Sequence, residues 1–329
     1  MALGTDIAVI IVNYGTAELA IAGVKSVLER KHGGRHVEIH LVDNASPSGD
    51  AERFAQTHAT CEWGERVTIW PETDNHGFGR GNNVVIKALA ARAIPPRYVF
   101  LLNPDATLDN EALDLLASHM DAHPEVAACG AGISFPSGKP VTAAFRFPSA
   151  RGIFAHAVNF GPLTSRFKRH LTALPPDHPQ SPVDWVSGAA VMFRFDVLQA
   201  LDGFDPVFFL YYEELELMHR IKMAGHEIHY LPDARIFHIE GAATDVKSGG
   251  SKRKAKPGYW YASWLHYFRK THGRGGALRM AIAWLAGAAL NAPIAALRGQ
   301  SPSYPLHFFR DFRQLIIKPL LRNEKINHD

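Results

Sequence analysis

The chain has 329 residues, of which 47% are hydrophobic and 20% are charged, and its formal net charge is +3 at pH 7. A chain of this size and composition can bury one large core or two modest ones, which favours one main domain with an extension. Cys61 and Cys129 are the only cysteines. Two unpatterned cysteines exclude a disulfide scaffold and a cysteine-based zinc site, and they favour a reducing compartment.

Charge is distributed unevenly along the chain. Residues 1–246 contain 20 Lys and Arg against 29 Asp and Glu, whereas residues 247–329 contain 15 against 3. A basic tail on an acidic body indicates an anionic partner for the tail, either a membrane surface or a nucleic acid. The alternative is a basic face that is merely solvated.

The first third of the chain alternates apolar runs with helical stretches. Continuous apolar strands separated by helices predict an α/β fold, with a mainly parallel sheet covered on both faces and ligands at the carboxyl ends of its strands. We expect strands over 7–14, 37–44, 67–70 and 98–105, and helices near 17–31, 49–58, 80–93 and 110–121.

The pattern is less regular between residues 135 and 182, where we expect loops and short strands. Regular structure is predicted again from residue 183, with a helix from Tyr212 to Ala224 followed by two strands, HEIHYLP and ARIFHI. Residues 241–258 are rich in Gly, Ser and Lys and predict a flexible loop or lid. A further helix is expected near 259–271.

The apolar stretch 277–297 approaches the roughly 20 residues that span a bilayer. Arg279, Asn291 and Pro293 interrupt it, which favours an interfacial amphipathic segment over a membrane span. The alternative is a helix packed on the core. The apolar N-terminal run predicts a first strand and not a secretory signal. We therefore expect a cytoplasmic protein, peripheral on the inner face of the cell membrane, whose tail binds an anionic membrane surface and no nucleic acid.

Polar residues stand where the predicted strands end. Asn13 and Tyr14 close the first strand, and Asp43 closes the second. A carboxylate at a strand end can accept a hydrogen bond from the ring N–H of uracil or thymine, and a tyrosine can supply a face for the base. Either residue alone is also compatible with an ordinary strand end.

A glycine-rich segment, residues 75–83, follows the third strand. It contains Asn75, Gly77, Gly79, Arg80 and Asn82. Glycines before a helix let backbone N–H groups approach a phosphate, and an arginine adds positive charge, so this segment predicts a diphosphate site. Its spacing is not GxGxxG and it does not follow the first strand, which disfavours a nicotinamide-dependent oxidoreductase.

Further acidic residues suggest metal and proton chemistry. Asp105, in the sequence Asn103-Pro104-Asp105, is a candidate ligand for Mg²⁺ or Mn²⁺ on a diphosphate, although this motif alone is more often an ordinary Asp in a Pro-containing turn. His238 ends a predicted strand and could complete the metal shell. Glu213 and Glu214 begin a predicted helix, where they suit the macrodipole or, in a cleft, general-base catalysis.

Together these segments resemble bacterial glycosyltransferase family 2, and within it the rhamnosyltransferase-like branch of cell-surface polysaccharide synthesis. The matching runs occur in family order over roughly residues 7–273: VIIVNYGT, HLVDNAS, NHGFGRGNN, FLLNPDATL, VSGAAVMFR, GFDPVFFLYYEELEL, AGHEIHYLPDARIFH and WLHYFRKTHG. The resemblance implies a GT-A type, Rossmann-like domain over residues 1–240, followed by a loop or lid over 241–258. A basic, partly apolar helical extension is expected over 259–329.

The resemblance also implies roles for individual residues. Asp43 would contact the nucleobase, residues 77–82 and Gly188 would line the nucleotide-sugar site, and Asp105 would be the surviving acid of the metal-binding DxD element. Asn103 replaces the first acid of that element. His238 matches a histidine that helps to bind metal in some relatives, and Glu214 occupies the base position, with Glu213 as its neighbour.

The implied reaction is an inverting transfer of a sugar from a nucleoside diphosphate sugar to a glycan or lipid-linked glycan. The branch favours dTDP-L-rhamnose, and no residue excludes a UDP-sugar. Two other readings remain open at this stage. A sugar nucleotidyltransferase would carry a Gly-rich activating loop after the first strand, where this chain has VNYGTAELA. A non-catalytic carbohydrate-binding protein at the membrane is the second alternative. It would explain why Asn103 replaces the first acid of the DxD element and why Glu-Glu stands where the family has Glu-Asp.

Overall fold

The computed structural model describes residues 4–61, 63–239 and 253–322. The chain forms two compact units, each assembled from separate stretches of sequence. Unit 1 comprises Met1–Phe145, Pro175–Pro206 and Glu213–Ser248, and unit 2 comprises Arg146–Leu174, Val207–Tyr212 and Gly249–Asp329. Most of the predicted loop or lid, residues 241–252, lies outside the described residues.

Unit 1 contains the strands. Their bounds are β1 Ile7–Asn13, β2 Val37–Asn44, β3 Val67–Glu72, β4 Tyr98–Leu102, β5 Ala106–Leu108, β6 Val126–Ser134, β7 Pro140–Val141, β8 Ala144–Phe145, β9 Ser181–Pro182, β10 Trp185–Val186, β11 Ala190–Arg194 and β12 Glu227–His238. The sheet order is β3-β2-β1-β4-β11-β6-β12-β5, with β7 beside β6 and β9 beside β12, while β8 and β10 form a separate pair.

The predicted α/β class is confirmed, and the sheet is parallel in its first half. Strand β1 pairs in parallel with β2 and β4, and β2 with β3. Every residue of β1 is buried, as expected for a strand covered on both faces. Strand β11 enters antiparallel to both β4 and β6, so the second half of the sheet is mixed.

The helices of both units follow. They are α1 Ala17–Leu28, α2 Asp50–Thr60, α3 Gly77–Ala90, α4 Ala112–Ala122, α5 Ala150–Val158, α6 Gly161–Arg166, α7 Phe195–Ala200, α8 Glu213–Met223, α9 Gly258–Leu297, α10 Phe308–Phe312 and α11 Lys318–Arg322. Short 3₁₀ turns occur between them, including one at Lys168–His170.

Three local predictions differ from the structure. Helix α3 begins at Gly77, so the glycines form its first turns and do not precede it. Strand β12 is continuous where two strands were expected, because an irregularity in its pairing between Leu231 and Arg235 accommodates the proline between them. Residues 150–166 form helices α5 and α6, where only loops and short strands were expected.

In unit 2, helix α5 packs closely on helix α9. A methyl group at Gly287 would lie 2.6 Å from Ala157 Cβ, so only glycine permits this approach. Asn291 is buried, and its Nδ2 donates to Val158 O at 2.9 Å while its Oδ1 accepts from Ser303 N at 2.8 Å. Asn291 therefore has a structural role on the face of α9 that contacts α5. This supports the alternative for residues 277–297, a helix packed against protein, on that face.

Helix α9 has a break at Gly273, where φ is 65° and ψ is 175°. This left-handed residue separates a helix over the predicted 259–271 region from the apolar stretch that follows it. Aromatic side chains near the two segments form a cluster, with Trp260 and Trp284 rings 5.4 Å apart and Trp284 and Phe312 rings also 5.4 Å apart. By length and composition α9 is long and apolar enough to cross a membrane, and 33% of its most apolar window is buried.

Candidate active site

Helix α8 begins with two adjacent carboxylates in different environments. Glu213 is only 3% exposed, whereas Glu214 is partly accessible. Within the described residues, the buried Oε2 atom of each glutamate lacks a hydrogen-bond partner. Tyr211 and Tyr212, which precede the pair, both have φ of 71°, a strained value for a residue with a side chain. Of the two residues, Glu214 is the more exposed.

Burial changes the acidity of both groups. Desolvation, followed by the nearby charge of Glu214, raises the pKa of Glu213 well above its ordinary value. Desolvation also raises the pKa of Glu214. A carboxyl whose pKa is raised toward neutrality is a more effective proton acceptor than an exposed one. Both carboxyls therefore hold their protons more strongly than exposed glutamates do.

The start of helix α8 lies against the glycine-rich segment. A methyl group at Gly188 would lie 3.4 Å from Glu214 Cβ and 3.6 Å from Phe78 Cε1, so these three residues converge. A methyl group at Gly79 would lie 3.5 Å from Glu213 Cβ. The structure therefore brings together Gly79, Gly188 and both glutamates, which come from three distant parts of the sequence.

Asn44, at the end of β2, holds the glycine-rich segment in place. Its Oδ1 accepts from His76 N at 3.0 Å, and its Nδ2 donates to Asn75 Oδ1 and Gly77 O, each at 3.1 Å. Asn75 Oδ1 in turn accepts from Gly77 N at 2.9 Å. Asn44 was not among the predicted site residues, although the dipeptide Asp43-Asn44 at a strand end was a signal for it.

Asp43 lies at the end of β2, beside the end of β1. Asn13 Nδ2 donates to Asp43 Oδ1 at 3.3 Å and to Asp50 Oδ2 at 2.8 Å. In the described part of the chain, both hydrogen bonds to the Asp43 side chain end on Oδ1, the second coming from Ser46 Oγ. Its Oδ2 forms no hydrogen bond with the described residues. Tyr14 follows Asn13 directly, and its side chain is 42% exposed.

The turn after β4 brings the candidate metal ligands together. His238 Nε2 lies 2.9 Å from Asp105 Oδ1 and 3.4 Å from Asn103 Nδ2, and Asp105 and His238 are both buried. Asn103 N donates to Ala189 O at 2.9 Å, which ties this turn to the residue after Gly188. No group of three or more His, Cys, Asp or Glu side chains in the described ranges is arranged to hold a metal.

The remaining predicted residues have local partners. Arg80 Nε donates to His76 O at 2.8 Å, and the buried Asn82 donates to Phe78 O at 3.0 Å, one helical turn back. Their contacts to a donor stay a prediction. Asn83 was missed, and it clamps the chain at Phe204, donating to Phe204 O at 2.7 Å and accepting from Phe204 N at 2.9 Å. The doubled asparagine of GRGNN was its only signal.

The carboxyl ends of the parallel strands carry Asp43, the N-terminus of α3 and the buried Asp105–His238 pair, and open α/β sheets bind ligands at this edge. The chain matches the family described as "Glycosyltransferase like family 2" over residues 5–255. It belongs to this family and is a glycosyltransferase, which confirms the resemblance drawn from the sequence.

Two relatives carry rhamnosyltransferase names. The chain is 28% identical over 222 residues to the N-acetylglucosaminyl-diphospho-decaprenol L-rhamnosyltransferase of Mycobacterium tuberculosis, which covers 64% of this chain and 69% of that protein. It is 24% identical over 173 residues to the rhamnosyltransferase WbbL of Escherichia coli K12. This alignment covers 50% of this chain and 61% of that protein.

A solved structure supports the fold. The mannosyltransferase PcManGT from Pyrobaculum calidifontis, in complex with GDP-Man and Mn²⁺, aligns with a TM-score of 0.53 and 16% identity, covering 98% of this chain and 89% of that one. A likeness at this identity concerns the fold alone, and it confirms the predicted GT-A architecture.

Proposed function

We propose that this glycosyltransferase moves L-rhamnose, with inversion, from dTDP-L-rhamnose to a glycan or lipid-linked glycan acceptor. The names of the two relatives support the choice of sugar, and the name of the mycobacterial relative specifies an acceptor on a lipid diphosphate. The observation that carries the catalytic part is the partly accessible, raised-pKa Glu214 beside Gly188 and Phe78.

The donor's nucleotide is proposed to bind at the carboxyl edge of β1 and β2. Asp43 Oδ2 would accept from the N3–H of thymine or uracil, and Tyr14 would lie against the base. The first turn of α3, with Arg80, would hold the diphosphate, because the positive end of the helix dipole favours phosphate oxygens. Adenine has no equivalent N–H, so this site should discriminate against ADP.

Asp105 and His238 would hold the Mg²⁺ or Mn²⁺ that GT-A relatives use. One buried carboxylate and one imidazole fit such an ion when diphosphate oxygens complete its shell, since Mg²⁺ is commonly bound by one or two carboxylates together with substrate phosphates. When bound, the ion would stabilise negative charge on the departing diphosphate. Because the protein supplies so few ligands, metal binding should depend on the nucleotide.

Glu214 is the proposed general base. It removes the proton from the acceptor hydroxyl as that oxygen forms a bond to the anomeric carbon of the sugar. The bond from the anomeric carbon to the diphosphate breaks on the opposite face, and the leaving group departs as dTDP. The proton ends on Glu214. Glu213 is too buried for this role, and its negative charge, when present, would oppose ionisation of its neighbour.

An anionic membrane surface is proposed to bind unit 2. Helix α9 exposes large apolar side chains on one side, with Ile282 55% exposed and Leu290 48% exposed, and the exposed Leu297 is followed by Arg298. Apolar insertion and basic charge act together in interfacial helices, and each Lys or Arg near an anionic surface contributes about 1 kcal/mol. This would place the enzyme at the cytoplasmic face of the membrane, where a lipid-linked acceptor lies.

The test separates donor binding from transfer. Thermal shifts are measured with dTDP, UDP and ADP, with and without Mn²⁺, and transfer from dTDP-L-rhamnose is followed in wild type and Glu214→Gln. We expect dTDP and UDP to stabilise more than ADP, and we expect Glu214→Gln to lower transfer by about 10² to 10⁴-fold while the dTDP shift is kept. Equal shifts for the three nucleotides would reject Asp43 as the nucleobase contact. Undiminished transfer by Glu214→Gln would reject Glu214 as the general base.

A further inference from the structure

Residues 146–174 of unit 2 are strongly basic. They contain five Arg and Lys residues and no Asp or Glu, and the sequence reading assigned them no role. They form helices α5 and α6 and the 3₁₀ turn Lys168–His170. An excess of positive charge along one stretch of surface attracts anions.

Part of this charge lines a cavity of about 420 Å³. Its walls are formed by Arg151, Arg166, Phe167, Arg169 and His170. Arg151 comes from the first turn of α5, Arg166 from the end of α6, and the other three residues from the chain that follows. Three arginines, a histidine and a phenylalanine therefore line one space.

The cavity's shape is set by a close approach of backbone to backbone. A methyl group at Gly152 would lie only 2.0 Å from His170 O, so the start of α5 can lie against the 3₁₀ turn only because residue 152 has no side chain. Ser149 caps α5 by accepting from Gly152 N at 3.2 Å. Arg151 and His170 are thus held side by side before any ligand binds.

The arginines that line the cavity have no carboxylate partner in the described part of the chain, and Arg169 Nε donates to His170 Nε2 at 3.3 Å. Partial desolvation, together with the charges of Arg169 and Arg151, lowers the pKa of His170. Positive groups held together without acidic partners repel one another, and a bound anion would relieve that repulsion.

We propose that this cavity is a second anion site, which binds the phosphate groups of a phospholipid-like or lipid diphosphate ligand. Arginine suits this chemistry because its planar fork binds phosphate oxygens through two parallel hydrogen bonds. The cavity shares no residue with the candidate donor site, all of whose residues belong to unit 1. Only the choice of a lipid diphosphate as one source of the ligand rests on the proposed function.

The test uses the full chain with dTDP at saturation, so that the donor site is filled. Binding of geranyl diphosphate is measured by calorimetry, and binding of vesicles containing phosphatidylglycerol by co-sedimentation. Each is compared in wild type, Arg151→Gln, Arg169→Gln and the control Lys168→Gln. Lys168 is exposed and carries the same charge in the same turn, but it does not line the cavity.

We expect each arginine variant to weaken binding about tenfold, or about 1.4 kcal/mol, while Lys168→Gln has a much smaller effect. A loss confined to geranyl diphosphate identifies a diphosphate ligand, and a loss confined to the vesicles identifies a phospholipid headgroup. Equal losses in the arginine variants and the control would overturn the proposal, because the attraction would then be non-specific. Absence of binding in both arms, or displacement of geranyl diphosphate by dTDP, would overturn it as well.

The dTDP thermal shift of the same samples keeps the two proposals apart. Loss of that shift with intact binding in the cavity would reject the donor site and leave the second anion site standing. The three substituted side chains are exposed, so their melting temperatures without ligand should match that of the wild type.

Discussion

The burial of Glu213 predicts a stability that depends on pH in a definite direction. Its pKa in the folded protein is raised above the ordinary value of 4.5, so the folded state holds its proton at pH values where the unfolded chain has lost it. Below pH 4.5 the Glu213 carboxyl contributes its full stabilisation to the folded state. This contribution to the free energy of unfolding is lost as the pH rises from 4.5 through the raised pKa. Glu213→Gln removes the titration, because glutamine is neutral at every pH.

The expected size follows from the linkage relation. Between the unfolded and folded pKa values, one carboxyl lowers the free energy of unfolding by up to about 1.4 kcal/mol per pH unit. For a unit of 150–250 residues, 1 kcal/mol corresponds to about 2–4 °C in Tm. The Tm of Glu213→Gln minus that of the wild type should therefore increase by about 3–6 °C per pH unit within this window.

The assay is thermal unfolding of both proteins at pH 5, 6, 7 and 8, followed by circular dichroism. An unpaired amide group in the variant adds a constant penalty of about 1–3 kcal/mol, so the slope with pH is decisive and the offset is not. Glu52→Gln on the exposed surface of α2 is the control for the substitution itself. A Tm difference that stays constant across these pH values would refute the buried, proton-holding environment.

Two further predictions concern ligands. Calorimetry should show that Asp105→Ala weakens dTDP binding at least tenfold in Mn²⁺ and leaves it unchanged in EDTA. If the variant and the wild type bind dTDP equally well in Mn²⁺, Asp105 is not a metal ligand. The double variant Ile282→Asp, Leu290→Asp should reduce co-sedimentation with anionic vesicles severalfold, whereas the control Leu115→Asp on α4 should not. High salt should weaken vesicle binding of the wild type without abolishing it, because screening leaves apolar insertion intact.

The first half of the sheet could be predicted because its signal is local. Strands β1 and β4 are continuous apolar runs and β2 is mostly buried, and polar residues such as Asn13 and Asp43 end β1 and β2. The carboxyl ends of parallel strands meet at one edge, so the sequence alone predicts that these residues lie together. The antiparallel entry of β11 between β4 and β6 could not be predicted, because strand order depends on pairing between distant segments.

The sequence predicts which residues belong to the candidate site, but it does not predict which of them contact one another. The motifs indicated Glu214 and Gly188 separately, whereas their contact depends on two segments that meet only in the fold. The glycines were read as phosphate-binding turns, yet Gly79 also has a packing reason, since a methyl group there would lie 3.1 Å from Phe204 Cβ. The role of Asn44 in holding the glycine-rich segment was not predicted, because its partners lie 31 to 33 residues further along the chain.

The packing of α5 on α9 has a consequence for how the chain is made on the ribosome. Asn291 and Val158, which join these helices, are 133 residues apart in the sequence. At 5–20 residues per second, α5 is translated about 7 to 27 s before the residue that will bond to it. During that interval its apolar face lacks its partner while strands β1 to β6 have already emerged. The rate of successful synthesis should therefore be most sensitive to chaperones that shield residues 150–158, and slowing translation between positions 160 and 290 should lengthen the vulnerable period.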